Sequence, residues 1–333
     1  MAYLTAPLTI GNLHLKNRLV MPPMATSKAG PDGEITPELL QYYDEKTRGG
    51  YFGMVITEHS FVSADGKASA NQISSADDDK VSGLSQLSDV IHKNGSPAVL
   101  QLNHAGSGTK QSVTGSQPVA PSPVMNPSKA EMELPHELTH REIERIANDF
   151  ANAALRGKQA GFDGVEIHSC HGYLLDQFLS PLTNRRTDEY GGKIEDRIRI
   201  HLQVLKAVRN MVGRDFPVLF RLAVTDYMDG GLSLADSIAA AGLLEAAGTD
   251  IIDVSGGMCR YTAPGIEEMH YFTNQAKAIR RVVSIPVVVT GGIKTAKAAE
   301  ELLQNHDADL VGVGRAVLHD SNWAKNAVKS LSV

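Results

Sequence analysis

Short apolar runs rich in β-branched residues recur along the chain. They occupy residues 18–21, 53–57, 98–102, 164–168, 218–222, 251–254, 286–290 and 309–313, and glycine, proline or polar residues close each one. Runs of this kind fit strands buried on both faces, as in a parallel sheet. Longer stretches with helical spacing lie between them, at 37–47, 77–93, 139–161, 193–212, 233–247, 273–283, 295–304 and 321–331. Pro37 opens the first of these helices, and Asp77 to Asp79 put negative charge at the positive end of the second. Thr139 and Glu142 have capping-box spacing at the start of the third, and Gly161 closes it. Eight strands, each followed by a helix, describe an α/β fold of the (β/α)8 TIM-barrel type. An open doubly wound sheet is the competing architecture.

The pattern breaks in three places. Residues 8–17 alternate about Gly11-Asn12 and predict an N-terminal hairpin that plugs the bottom of the barrel. Two connections, 103–138 after the third strand and 169–192 after the fourth, are too long to be simple turns. The Pro-rich stretch 117–123 in the first of them predicts extended chain. In a barrel both long loops fall on the C-terminal face, where active sites are built. There is no repeat beyond the strand–helix period and no low-complexity linker, so residues 1–333 read as a single domain.

Composition narrows the class without changing the fold. The 333 residues are 42% hydrophobic and 21% charged, with a net charge of −6 and the basic residues scattered among the acids. No basic patch for nucleic acid or anionic lipid stands out, and no apolar run approaches the roughly 18 residues of a membrane span. The N-terminus lacks a basic start and a long apolar run, so a cytoplasmic location is expected. Cys170 and Cys259 are the two cysteines, and neither belongs to a CxxC pair, so no zinc or iron–sulfur site is readable.

Candidate chemistry collects at the strand ends. Gln101 lies near the end of the third strand, His168 at the end of the fourth, with His171 and Tyr173 just beyond, and Arg221 near the end of the fifth. The seventh strand runs into Gly291-Gly292 and the eighth into Gly314-Arg315. Loops after strands seven and eight commonly form a phosphate site in barrels: glycines expose backbone N–H groups and an arginine forks onto the oxygens. The bland alternative is that the glycines are turn residues and Arg315 is a surface charge. His168 and His171 can hold one oxygen of a bound organic molecule, with Tyr173 as a proton donor. The pair could also bind a metal, although no third ligand is obvious. It could equally be core histidine, with Tyr173 a packing residue. Residues three apart on a continuing strand face opposite sides, so the two histidines converge only if the strand stops at His168. Arg185, Arg186, Asp188 and Glu189 read as loop-ordering ion pairs, and Arg197 and Arg199 as structural.

Across essentially its whole length the chain resembles the old yellow enzyme family of FMN-dependent ene-reductases (NADH:flavin oxidoreductases). The strongest match is HSCHGYLLDQFLSPLTNRRTDEYGG at 168–192. Asn17-Arg18 before Met21-Pro22-Pro23-Met24, Gln101-Leu102-Asn103-His104-Ala105-Gly106 and Gly312-Val313-Gly314-Arg315 support it. The His-x-x-His spacing is similar to the bacterial branch. The resemblance implies a tightly bound, non-covalent FMN, with Pro22, Pro23, Met24 and Ala25 along its ring and His59 at another contacting strand end. Gln101 would bond the pyrimidine edge, Arg221 would stand near N1 and O2, and Gly314 and Arg315 would bind the phosphate. His168 and His171 would hold a carbonyl or nitro oxygen, Tyr173 would supply the proton at the α-carbon, and Ser27 would face the substrate. NADH or NADPH would reduce the flavin and leave, and an activated alkene would then enter the same site, a ping-pong cycle. A homodimer or homotetramer acting on small molecules is implied as well.

Two positions depart from the family pattern. Ala25 stands where Cys or Thr is frequent and tunes the flavin, and Ser27 stands where the bacterial branch often has Tyr. Larger relatives add a cysteine-rich segment for a cluster. Its cysteines are lacking here, so electrons are expected directly from the nicotinamide nucleotide. The competing activities are a flavin-linked oxidase or dehydrogenase with oxygen or quinone as acceptor, a non-catalytic flavin redox sensor, and a metal-dependent barrel lyase.

Overall fold

In the computed structural model, described here for residues 2–265 and 270–331, all eight expected strands form within two residues of their sequence-predicted bounds. A hairpin comes first, β1 (Leu8–Ile10) with β2 (Leu13–Leu15), turned by Gly11 and Asn12. Barrel strands follow as β3 (Leu19–Met21), β4 (Met54–Ile56), β6 (Ala98–Asn103), β9 (Gly164–Ser169), β10 (Val218–Ala223), β11 (Ile251–Ser255), β12 (Val287–Thr290) and β13 (Leu310–Gly312). Every neighbouring pair is parallel. The β4–β6 and β13–β3 pairings close the ring, so the open sheet is excluded. A short strand β5 (Ser60–Phe61) adds to the upper end of β6.

The helices are α1 (Pro37–Thr47), α2 (Val81–Lys93), α4 (His140–Gln159), α7 (Arg199–Val212), α8 (Leu234–Ala246), α9 (Thr273–Arg280), α10 (Ala296–Gln304) and α12 (Trp323–Leu331). Shorter ones are α3 (Gln111–Thr114), α5 (Leu174–Leu179), α6 (Ile194–Arg197) and α11 (Arg315–His319). At the head of α4, Thr139 Oγ1 accepts from Glu142 N–H while Glu142 Oε2 accepts from Thr139 N–H at 2.8 Å. The capping box read from the sequence is therefore formed at this helix start. Phe150, on the inner face of α4, is fully buried. Phe150→Ala is expected to cost about 3–5 kcal/mol through lost transfer and a residual cavity, read as a lower urea midpoint at unchanged slope.

The long loops carry structure of their own. Within the first, β7 (Val119–Ala120) pairs in parallel with β8 (His136–Glu137), so the Pro-rich stretch is extended as expected. Arg186 ties the two loops together: it donates to Asp188 and to the carbonyls of Pro121 and Leu138. Arg197 likewise donates to the carbonyl of Leu179 and to Asp236, a structural role.

Inside the barrel the side chains form layers. Ile10, Leu13 and Leu15 of the hairpin pack against Val20, Met54, Val99, Leu219, Ile251, Val288 and Leu310, which seals the bottom as predicted. Two residues further along, the inward positions become polar: Gln101, Glu166, Arg221 and Asp253. Gln101 Nε2 donates to Glu166 Oε2 at 2.6 Å, and Arg221 Nε lies 3.1 Å from Asp253 Oδ2. Burial pushes both carboxyls up, Asp253 raises Glu166 further, and the Arg221 cation pulls each of them back down. Period-two alternation thus places an apolar seal below, an ionic layer at mid-height, and the strand ends above it.

Candidate active site

A cavity of about 710 Å³ opens above that ionic layer, at the C-terminal ends of the strands. Pro22, Pro23, Met24 and Ala25 after β3 form one wall, and the Thr26 N–H bonded to Glu58 Oε2 fixes the end of that segment. Gln101 and Arg221 are at the floor. Gly291, Gly292, Gly314 and Arg315 lie along the rim after β12 and β13, and His59, His168, His171 and Tyr173 along the rim after β4 and β9. Of the residues singled out in the sequence, only Ser27 is left out of the wall. It is exposed, in the left-handed region at φ 57°.

The histidines converge by a route the strand period alone does not give. β9 runs one residue past His168, and the chain then turns through left-handed His171 (φ 63°) and Gly172 (φ 74°). A Cβ on Gly172 would sit 2.2 Å from Ser128 Oγ, so the turn requires glycine on steric grounds as well. The two imidazoles meet edge to face, with centroids 5.0 Å apart. Cys170 N–H points at His168 Nδ1 at 3.4 Å, which assigns the proton of His168 to Nε2. His171 Nε2 bonds Ser255 Oγ at 2.7 Å, and its backbone N–H donates to Gly256. Burial holds both imidazoles well below the usual histidine range, with His171 and Arg221 adding to the effect on His168 and Arg221 to that on His171. Both are therefore neutral at pH 7, hydrogen-bonding groups rather than cations.

Tyr173 caps the start of α5, with its ring 5.1 Å from that of His168 and 5.4 Å from that of His59. Burial pushes its hydroxyl up to about 12, so it stays protonated. His59 Nδ1 faces two amide donors, Gln72 Nε2 at 3.1 Å and Asn103 Nδ2 at 3.0 Å. Its proton therefore belongs on Nε2, and burial, with Lys129 next in effect, lowers it to about 4.

Among the described residues, donor atoms of His168, Cys170 and His171 lie within 4.8 Å of one another. Cys170 is thus the third donor that the sequence reading did not find. Its thiol is pushed well up by burial, and Arg221 acts electrostatically on all three groups. A fixed cation there favours an oxygen with negative charge over a metal ion.

Sequence reasoning missed Ser255, Tyr271, Arg260, Tyr261 and Lys294, all in the wall. Ser255 was within reach: it continues the inward parity of Ile251 and Asp253. Tyr271 was not. Its ring fills the space beside Gly291 and Gly292, where an added Cβ would meet it at 2.8 and 2.9 Å, and its hydroxyl accepts from Arg315 at 2.7 Å. The glycines are needed to admit Tyr271, whatever else they bind.

Residues 3–333 match the family described as NADH:flavin oxidoreductase / NADH oxidase. The chain is 41% identical over 324 residues to an NADH oxidase of Thermoanaerobacter brockii; the match takes in 96% of this chain but 49% of that protein, so the chain spans about half its length. An NADPH dehydrogenase of Listeria monocytogenes is 39% identical over 332 residues, which cover 99% of this chain and 96% of that one. The solved old yellow enzyme homologue of Zymomonas mobilis superposes with a TM-score of 0.86 at 27% identity, covering 98% of this chain and 93% of the other.

Proposed function

Since the chain belongs to the NADH:flavin oxidoreductase / NADH oxidase family, we propose that it is an FMN enzyme that draws hydride from NADH or NADPH and delivers it to C=C bonds conjugated with a carbonyl or nitro group. The observation that carries this reading is the pair of neutral imidazoles beside a protonated tyrosine, in a cavity whose wall bears Arg221, Arg260, Lys294 and Arg315 and no carboxylate among the described residues.

The residues present fit FMN. A Cβ on Gly314 would come within 3.2 Å of Met24 Sδ and 3.4 Å of Pro22 Cγ, so glycine keeps the passage from the proline wall to Arg315 open. Thr290 Oγ1, which lines the cavity, is buried without a hydrogen-bond partner among the described residues, while Arg221 is held at the cavity floor by Asp253. Pro22, Pro23, Met24, Ala25 and His59 would flank the ring, Gln101 and Arg221 would hold the pyrimidine edge, and Gly291, Gly292, Gly314 and Arg315 would hold the phosphate. When bound, FMN supplies the hydride carrier.

The chain's own residues do the rest. His168 Nε2–H donates to the acceptor's oxygen, and the imidazole of His171, oriented by Ser255, holds the same oxygen from the side. Both draw electron density from the alkene and leave its β-carbon electron-poor. Tyr173 Oη gives its proton to the α-carbon. Arg221, fixed over the ionic layer, keeps positive charge where electrons arrive.

The test is anaerobic reduction by NADPH or NADH in a stopped-flow cell, followed by mixing with 2-cyclohexenone or with oxygen. Faster reoxidation by the enone is expected. Faster reoxidation by oxygen would instead favour the oxidase reading, which Ala25 at a position that tunes the flavin in relatives makes the natural second choice.

A further inference from the structure

The cavity wall is cationic in a chain whose net charge is −6. Arg221 has Asp253 for a partner, and Arg315 and Lys294 sit with the glycines at the proposed phosphate end. Two further cations are found near Tyr173: Arg260, which lines the wall, and Lys129, next to the Tyr173 ring. Lys129 Nζ lies 5.5 Å from the centroid of the Tyr173 ring and donates to the carbonyl of Gly108 at 2.8 Å. Arg260 has its guanidinium carbon 5.4 Å from the centroid of the Tyr261 ring, and its Nε is buried without a partner. Neither forms an ion pair with a carboxylate among the described residues. Burial pulls the Lys129 ammonium down to about 8, and the charge of Arg260 pulls in the same direction.

Both side chains are held in place by local structure. Arg260 is in the left-handed region (φ 64°), closing a turn in which its N–H donates to Gly257 O at 2.8 Å and its own carbonyl would meet a Cβ on Gly256 at 2.1 Å. A non-glycine residue in that region stores strain of the kind that gathers at functional sites. Lys129 follows a segment in which Asn126 donates to Gly172 O at 2.8 Å, which docks it on the histidine turn. Two cations that repel each other and are partly out of water are costly to keep without an anion, and a ring contact offsets only part of that cost.

We propose that Lys129 and Arg260 form an anion seat at the cavity mouth, for a carboxylate or phosphate group carried by the molecule that lies against His168 and His171. This rests on the acceptor site described above. It takes the substrate class further, to activated alkenes with a second, anionic group, or to the pyrophosphate of the nicotinamide nucleotide. The spacing suits either source, because each cation stands one aromatic side chain beyond an imidazole: Lys129 beyond Tyr173 from His168, and Arg260 beyond Tyr261 from His171, whose rings are 6.1 Å apart.

Two arms on the holoenzyme separate the sources. In the first, the flavin spectrum is titrated with 4-hydroxybenzoate and with its methyl ester. In the second, anaerobic flavin reduction by NADPH is compared with reduction by the uncharged 1-benzyl-1,4-dihydronicotinamide. Arg260→Met and Lys129→Met are each expected to lower the charged-to-neutral ratio roughly ten-fold in one arm, and Arg260→Lys to restore part of it. A drop in the first arm assigns the seat to the acceptor's carboxylate, and a drop in the second to the pyrophosphate. Ratios that match wild type in both arms overturn the seat. A wild-type enzyme that responds to neither phenol nor 2-cyclohexenone overturns the acceptor reading instead, and the nicotinamide arm then decides the seat.

Discussion

Replacing His168 and His171 together by alanine is expected to abolish binding of phenolic ligands while leaving FMN in place. Each imidazole offers one hydrogen bond to a partly charged oxygen in a buried site, and such a bond is worth about 1.5–3 kcal/mol. Losing both should raise the Kd for a phenol roughly 100- to 10,000-fold, which takes binding out of a millimolar titration. The kcat/KM for 2-cyclohexenone should fall at least as far, since donors aimed at developing charge contribute about 100- to 1,000-fold each. FMN should stay because the groups proposed to hold it are on other strands: the Pro22–Ala25 wall, Gln101, Arg221 and Arg315. His168→Asn with His171→Asn keeps donors and fills more of the space, so partial recovery of phenol binding separates lost hydrogen bonds from a collapsed pocket. Loss of the yellow cofactor in both double variants would show that the pair belongs to the flavin's site and not the acceptor's.

The second large effect concerns Tyr173. Tyr173→Phe removes one oxygen and keeps the ring that packs against His59 and His168. Alkene reduction should slow by roughly 100- to 10,000-fold, the usual contribution of a positioned proton donor. Flavin reduction by NADPH needs no proton from this group and should stay within about two-fold of wild type. Stopped-flow traces of the two half-reactions read both numbers, and equal slowing of both would remove Tyr173 from the proton-donor role. Because burial lifts its hydroxyl to about 12 and keeps the two histidines neutral, none of the three changes charge near neutrality. These three groups should accordingly contribute no pH dependence to reduction of the uncharged 2-cyclohexenone across that range.

Much of the site was legible because barrel geometry converts sequence position into place. Gln101, His168 and Arg221 sit near the ends of three consecutive barrel strands, and β9 pairs with both of its neighbours so that His168 is level with Arg221. Strand ends in a closed parallel ring must share a rim, so identifying the strands was enough to bring these residues together. Ser27 shows the limit of the argument. It is two positions past the wall residue Ala25, but a left-handed backbone turns it outward, and no period predicts a local φ. Tyr271 and Arg260 show a different limit. They lie in the long connection after β11, and their positions against Gly291, Gly292 and Tyr261 arise only from how that connection folds back.

The sequence by itself determined the barrel, its hairpin plug, the capping box at Thr139 and the set of residues that face one another across the rim. Those follow from periods of 2 and 3.6 residues and from local capping chemistry, which act over a few neighbours. Tertiary structure alone decided the protonation of the imidazoles, the orientation of His171 by Ser255, the pairing of Arg221 with Asp253, and the two cations near Tyr173 that form no ion pair among the described residues. Each of these depends on burial and on charges from distant segments, and electrostatic energy is fixed by separation in space, which the order of residues along a chain does not state.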